Sequence, residues 1–148
     1  MIYRKATEND IDQLTRFRIQ QLIDEGQYPN IIIDKEINDY FLYHFKNDSL
    51  LSLLCIKDDI PIAAGAVIFM RNPPSFLNRT GYFAYINSMY TDKDFRRQGI
   101  AVEIITRLIE EIKIRKVSVI TLRASEYGAY VYKKMGFTDE DGHMVLKI

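Results

Sequence analysis

The sequence has a single cysteine, Cys55, among its 148 residues, so no intramolecular disulfide can form. It also lacks any apolar run near the ~20 residues that a membrane-spanning helix requires. Its first residues, Met1 to Lys5, lack the apolar stretch of a signal peptide. We therefore expect a protein of the reducing cytoplasm with no membrane partner.

There is no surplus of charge of either sign. Twenty basic residues balance twenty acidic ones, which gives a formal net charge of zero. Broad nucleic-acid binding needs an excess of Lys and Arg that displaces the counterions of the phosphate backbone. We therefore expect no nucleic-acid partner, although balanced charge is compatible with local binding of one small anion.

Residue types that bind metals or form nucleophiles are scarce. The two histidines, His44 and His143, occupy unrelated positions, so the sequence predicts no metal site. Cys55 lies in a run of Leu and Ile with no histidine beside it. We expect it to be a buried small hydrophobe and not a nucleophile.

The hydrophobic pattern alternates between a helical period and strand-like runs. Strands are predicted over residues 2–6, 50–56, 62–70, 81–91, 117–122 and 144–148. Helices are predicted from the cap Thr7 to about residue 26, from the cap Asp34 onward, over residues 101–112, and from the cap Ser125 to Gly136. Two of the strands should form an antiparallel hairpin over residues 50–70, and residues 81–122 should form a βαβ unit with parallel strands.

The size and the composition, 47% hydrophobic and 27% charged, are those of one globular domain. We expect a single domain over residues 1–148. Its fold class is α/β (α+β), with a mixed, mostly antiparallel central sheet and helices on both faces.

The loop before the clearest amphipathic helix carries the first chemical signal. Its spacing is Arg96-x-x-Gly99-x-Ala101, with Arg97 beside Arg96. Backbone amides at a helix N-terminus lack internal partners and favour phosphate groups, and small residues allow close approach. The sequence contains neither a Walker loop nor a Gly-x-Gly-x-x-Gly fingerprint. The alternative interpretation is a basic loop that only caps an amphipathic helix.

A second motif, Tyr132-Lys-Lys-Met-Gly136-Phe137, follows the strand predicted at residues 117–122. Together the two motifs resemble those of the GCN5-related N-acetyltransferase (GNAT) family, and the order of elements is similar along nearly the whole chain. The resemblance implies the acyl-CoA N-acyltransferase fold and an enzyme that uses acetyl-CoA as co-substrate, with no metal.

The resemblance also implies roles for individual residues. The amides of the loop would hold the pyrophosphate of coenzyme A, which assigns Arg96, Arg97, Gln98, Gly99, Ile100 and Ala101. The backbone of the preceding strand would bind the pantetheine arm, which assigns Met89, Tyr90 and Thr91. Tyr132 would protonate the leaving thiolate, and Ser125 is a cofactor candidate whose alternative role is helix capping.

Family members often have a carboxylate on the strand before the loop, and here residues 82–91 contain no Asp or Glu. Asn87 and Ser88 could hold a water molecule, but neither is a strong base, so the general base is left open. The acidic pair Asp24 and Glu25 could line a site for a cationic amine. Solvated helix ends are the simpler interpretation of that pair.

The resemblance therefore predicts an N-acetyltransferase that acts on a primary amine of a small molecule or a peptide, and it is compatible with a homodimer. Two alternatives remain: a non-catalytic acyl-CoA-binding or sensor module, and an interaction domain whose basic loop binds another anion. The identity of the acceptor amine is left open.

Overall fold

The computed structural model of the chain describes residues 1–140 and 142–148. It contains four α-helices and five β-strands in these residues. In chain order they are β1 (Ile2–Lys5), α1 (Ile11–Asp24), α2 (Asp34–Lys46), β2 (Leu50–Lys57), β3 (Ile60–Arg71), β4 (Tyr82–Thr91), α3 (Ile100–Ile114), β5 (Ile120–Leu122) and α4 (Glu126–Lys134). Two short 3-10 turns, Glu8–Asp10 and Lys93–Phe95, precede α1 and α3.

The five strands form one sheet in the order β1-β2-β3-β4-β5. The first three pairings are antiparallel, and β4 pairs with β5 in parallel. A parallel pair needs a crossover between its strands, and α3 provides it. The predicted hairpin, the predicted βαβ unit and the mixed, mostly antiparallel sheet are therefore confirmed.

Each face of the sheet has its own hydrophobic core. On one face, the apolar side of α3 packs against β2, β3 and β4. On the other face, α1 and α2 cover the sheet through Leu14, Phe17, Ile37 and Phe41. Helices therefore lie on both faces, and β2 and β3 are buried between them, as their long apolar runs require.

Local capping explains where several helices begin and end. Before α1, the Asp10 carboxylate accepts a hydrogen bond from the Thr7 amide (2.8 Å), and the Thr7 hydroxyl accepts one from the Asn9 amide (3.3 Å). Thr7 therefore caps as predicted, although the helical segment that it caps begins with the 3-10 turn Glu8–Asp10, which leads into α1. Asp34, predicted as a cap, is instead the first residue of α2, where its charge complements the helix dipole.

The predicted strand over residues 144–148 is wrong. Residues 142–148 form no strand, and Met144, Leu146 and Ile148 are exposed. Apolar alternation is a local signal, whereas a strand also needs a neighbouring edge with which to pair. The strand predicted at residues 117–122 is shorter than expected and begins at Ile120. The Val117 amide is not available to the sheet, because it donates to the carbonyl of Ile112 at the end of α3.

No helix of the described residues is long and apolar enough to cross a lipid bilayer. Cys55 is fully buried in the core beside α3, as predicted. The Nδ1 atom of His44 lies 2.7 Å from the hydroxyl oxygen of Ser49, and burial lowers the pKa of His44.

The core beside α3 can be tested with two isoleucines of the same helix. Ile112 is fully buried, whereas Ile114 is 73% exposed. We expect Ile112→Ala to lower the free energy of unfolding by about 2–5 kcal/mol, because it removes buried methylene groups and leaves a cavity. Urea denaturation should show a change within about 0.5 kcal/mol for the control Ile114→Ala. Equal losses in the two variants would contradict this packing.

Candidate active site

A β-bulge in β4 shapes the centre of the molecule. Ala64 of β3 pairs with Tyr90, and Ala66 pairs with Asn87. Between these two pairs, β4 therefore contains one residue more than β3. The irregularity includes Ser88, whose φ of 53° is unusual for a residue other than glycine. A bulge bends the strand and changes the direction of its side chains.

Packing from the core holds the bulge in place. A Cβ on Gly65 would lie 2.4 Å from the Sδ atom of Met89 and 2.6 Å from Cγ2 of Ile104. The Met89 side chain therefore occupies the space that a larger residue at position 65 would need. The bulge depends on a glycine in the strand beside it, where no turn requires one.

Beyond the bulge, β4 has a free edge. The pairing with β5 covers only Ala84 to Ile86, whereas β4 continues to Thr91. Within the described chain, no strand pairs with residues 87–91 on that side. Unpaired amides and carbonyls on a strand edge can bind an extended ligand as an additional strand. The predicted residues Met89, Tyr90 and Thr91 lie on this edge.

The loop after β4 presents backbone amides at the start of α3. Arg97 and Gly99 both have positive φ values, 61° and 80°, and Gly99 is the N-cap residue. Among residues 1–140 and 142–148, no hydrogen-bond acceptor is found for the amides of residues 97–102. Because the helix dipole adds partial positive charge there, this loop suits an anionic group.

Arg96 is held by other groups of the protein. Its Nε donates to the carbonyl oxygen of Thr91 (2.9 Å), its Nη2 donates to the Asp24 carboxylate, and its guanidinium lies over the Tyr90 ring. Burial acts to raise the pKa of Asp24, but the hydrogen bonds from Arg96 and Gln20 and the positive charges of Lys93 and Arg96 together lower that pKa overall. Arg96 therefore ties the loop to the end of α1, and both Arg96 and its neighbour Arg97 are exposed.

Tyr132 lies on α4, whose two ends explain the second sequence motif. At the start, the Ser125 hydroxyl accepts a hydrogen bond from the Gly128 amide (3.1 Å), which confirms the predicted cap. At the end, Gly136 has a φ of 98° and the Phe137 amide donates to the Tyr132 carbonyl (3.1 Å), as in a Schellman motif. The Phe137 ring then packs against the Tyr132 ring, with centroids 5.8 Å apart.

The phenol of Tyr132 is kept neutral by its surroundings. Burial raises its pKa, and the negative charge of Glu25 raises it further. Glu25 directly follows Asp24, which contacts the loop through Arg96. The end of α1 therefore lies close to both the loop before α3 and Tyr132.

A row of polar residues on α1 was not predicted from the sequence. Leu14 is buried against the sheet, and Arg18, Gln21 and Glu25 continue its helical spacing. The Arg18 guanidinium donates to the Gln21 side-chain oxygen (3.0 Å), and the Gln21 amide donates to the Glu25 carboxylate (3.0 Å). The signal available in the sequence was this change from apolar to polar residues on a single helix face.

A cavity of about 390 Å³ lies elsewhere, between α1 and α2. Its lining residues are Asp12, Thr15, Arg16, Ile19, Gln20, Asp34 and Asn38. None of the predicted site residues is among them. This cavity is therefore separate from the arrangement around β4, the loop and Tyr132.

Comparison with known proteins identifies the family. A sequence model of the acetyltransferase (GNAT) domain matches residues 12–145. This chain belongs to the GNAT acetyltransferase family. The search of curated proteins gave no match.

Solved GNAT structures agree with this assignment. A predicted acetyltransferase from Clostridium acetobutylicum, whose crystal structure was determined with acetyl-CoA, is 42% identical, with a TM-score of 0.96. The match covers 99% of this chain and 95% of that one. A GCN5-related N-acetyltransferase from Ralstonia eutropha JMP134 is 21% identical, with a TM-score of 0.92 over 99% of this chain and 97% of that one, and it supports the fold.

Proposed function

We propose that residues 1–148 form one N-acetyltransferase domain, which moves the acetyl group of acetyl-CoA directly to a primary amine of a small molecule or peptide. The observation that carries the proposal is the free edge of β4, which leads directly into the loop of unpaired amides at α3. An extended ligand whose arm ends in a diphosphate matches this order of binding groups, with the arm along the edge of β4 and the diphosphate at the loop. Coenzyme A is such a ligand.

The coenzyme roles follow from this arrangement. Backbone groups of Met89, Tyr90 and Thr91 bind the pantetheine arm, although the Thr91 carbonyl already accepts from Arg96. The pyrophosphate is held by the loop residues Arg96, Arg97, Gln98, Gly99, Ile100 and Ala101. Arg97 supplies positive charge, while Arg96 mainly fixes the shape of the loop. Ser125 caps α4, which leaves its hydroxyl proton as its means of contacting the cofactor.

The leaving group needs a proton. The thioester supplies an activated acetyl group, so a neutral amine can attack its carbonyl carbon without a nucleophile from the protein. As the C–N bond forms and the C–S bond breaks, Tyr132 donates its phenolic proton to the departing sulfur. An alkyl thiolate has a conjugate-acid pKa of about 8.5, below the ~10 of a free tyrosine. Transfer of the proton from the phenol to a free thiolate is therefore energetically unfavourable, and positioning of the phenol beside the sulfur favours it.

The attacking amine must lose a proton, and β4 contains no carboxylate to take it. Asp24 is engaged by Arg96 and Lys93. Glu25 is exposed, lies close enough to raise the Tyr132 pKa, and is oriented by Gln21. We assign to Glu25 the role of accepting the proton of the amine, directly or through water, and this fills the role that the sequence left open.

The coenzyme loop can be tested with two glycines that share one geometry. Gly99 and Gly26 both have positive φ, and a Cβ on either would meet no atom within 4 Å. Each change to Ala should cost about 1–2 kcal/mol of stability because of the left-handed backbone. Isothermal titration should show that only Gly99→Ala weakens coenzyme A binding, by about 10–100-fold, because its methyl group blocks the phosphate-binding amides. Equal weakening in both variants would exclude the loop as the phosphate site.

The role of Tyr132 can be tested against Tyr130 of the same helix, which is 67% exposed. Tyr132→Phe should lower kcat by about 100-fold and leave the coenzyme Kd unchanged, whereas Tyr130→Phe should change neither. The raised pKa keeps Tyr132 protonated above the pKa of free tyrosine, about 10, so the advantage of wild type should persist to that pH and fall only beyond it. Full activity of Tyr132→Phe at every pH would exclude Tyr132 as the general acid. Tight coenzyme binding without thiol release in wild type would favour a non-catalytic acyl-CoA-binding module.

The role of Glu25 makes a distinct prediction about pH. At pH 7, Glu25→Gln should lower kcat/KM for the amine by about 10–100-fold. The loss should shrink as the pH approaches the ~10.4 of an alkylamine, because the neutral amine then forms without a base. Glu110→Gln, on the exposed side of α3, is the control. A loss that is constant across the pH range would show that Glu25 is not the proton acceptor.

A further inference from the structure

Arg18 differs from every other arginine in the described part of the chain. Arg4, Arg96, Arg107 and Arg115 each contact a carboxylate. The remaining arginines are exposed, except Arg18, which is half-buried. Among residues 1–140 and 142–148, Arg18 forms no ion pair, and its guanidinium donates only to the neutral Gln21 side chain.

This arrangement has an energetic cost that a ligand could offset. A partly buried charge loses hydration, and its burial is favourable only when an opposite charge or several hydrogen bonds replace the water. The Arg18 guanidinium has five N–H donors, of which the described structure uses one. The guanidinium fork matches carboxylate and phosphate groups, which accept two parallel hydrogen bonds from it.

The surroundings of Arg18 include residues of α2 and β4. The charge of Arg18 acts on the phenol of Tyr40, which in turn interacts with Asn87 beside the bulge of β4. Tyr85, also on β4, is close enough to affect the same phenol. Arg18 and Tyr40 therefore belong to the layer of α1 and α2 that covers one face of the sheet, near the bulge of β4.

The spacing along α1 relates Arg18 to the proposed proton acceptor. Glu25 lies seven residues after Arg18, which corresponds to about 10 Å along the helix axis. Gln21 bridges the two side chains and keeps them on the same side of α1. A molecule that reached both would carry an anionic group at one end and an amine several bonds away.

We propose that Arg18 binds a carboxylate or phosphate of the acceptor, so that the preferred acceptors are amines that also carry an anionic group. This inference rests on the proposed acetyl transfer and names its substrate class. Arg18 acts as a specificity residue, because it contacts the end of the acceptor that does not react. Glu25 and Tyr132 act at the reacting end.

The experiment compares acceptors that share one carbon skeleton. Thiol release is measured with 6-aminohexanoate, 6-aminohexyl phosphate and the neutral 6-aminohexanamide, for wild type, Arg18→Gln and Arg18→Lys. Arg16→Gln, on the exposed side of the same helix, is the control. Coenzyme A binding by each variant is measured by titration, which separates acceptor effects from loss of the coenzyme site or of the fold.

Wild type should prefer an anionic acceptor over the neutral amide by about 10–100-fold in kcat/KM, as expected for hydrogen bonds to a charged group. Arg18→Gln should reduce this ratio to about one, chiefly by raising KM for the anionic acceptors, with coenzyme binding unchanged. Arg18→Lys should keep part of the preference, because it retains the charge without the fork. The two anionic acceptors decide between a carboxylate and a phosphate.

Two results would overturn the inference, and they differ from each other. If wild type acetylates the amide as well as the anionic acceptors, or Arg18→Gln preserves the preference, the role of Arg18 is wrong and acetyl transfer stands. If no amine is acetylated although coenzyme A binds, the proposed transfer fails, and the substrate class fails with it.

Discussion

The separation of β4 from β5 is the constraint on which the rest of the site depends. The two strands pair over three residues only, since β5 ends at Leu122, the partner of Ile86, and the bulge around Ser88 follows in β4. A continuous ladder would satisfy the backbone groups of residues 87–91 within the sheet and would leave no edge for a ligand. The bulge costs hydrogen bonds that folding would otherwise make, and packing of Met89 over Gly65 stabilises it.

The end of α1 connects the two halves of the proposed chemistry. Asp24 holds Arg96 and thereby the loop before α3, while the next residue, Glu25, affects the phenol of Tyr132. Neighbouring residues on a helix point in different directions, so one helix end can reach two elements that are distant in sequence. A shift of α1 would therefore alter the proposed coenzyme loop and the surroundings of Tyr132 together.

Much of this arrangement was predictable because it rests on local signals. The cap at Thr7, the cap at Ser125 and the left-handed Gly136 are set by short-range backbone chemistry, and the structure confirms all three. Ser88 has a positive φ although it is not a glycine. Because no glycine marks this position, the bulge could not be predicted from the sequence. Alternation at residues 144–148 suggested a strand, but pairing depends on a partner edge that a local pattern does not reveal.

The acceptor side required the structure for a different reason. Arg18, Gln21 and Glu25 look like ordinary polar residues of an amphipathic helix until the direction of each side chain is known. Sequence reasoning had favoured a solvated helix end for Glu25, and only its proximity to Tyr132 gives it a chemical role. The proposed coenzyme motifs were visible because each lies within a short stretch of sequence, whereas the proposed acceptor residues Arg18 and Glu25 are seven positions apart on α1 and at its end.

The two hydrophobic cores on opposite faces of one sheet have a consequence for how such a protein can change. Most proposed acceptor contacts belong to the layer of α1 and α2, whereas the amides proposed to bind phosphate belong to the layer of α3. Substitutions in the first layer can exchange one acceptor for another without repacking the second. The ion pair between Asp24 and Arg96 is a link between the layers, and it sets a limit on that independence.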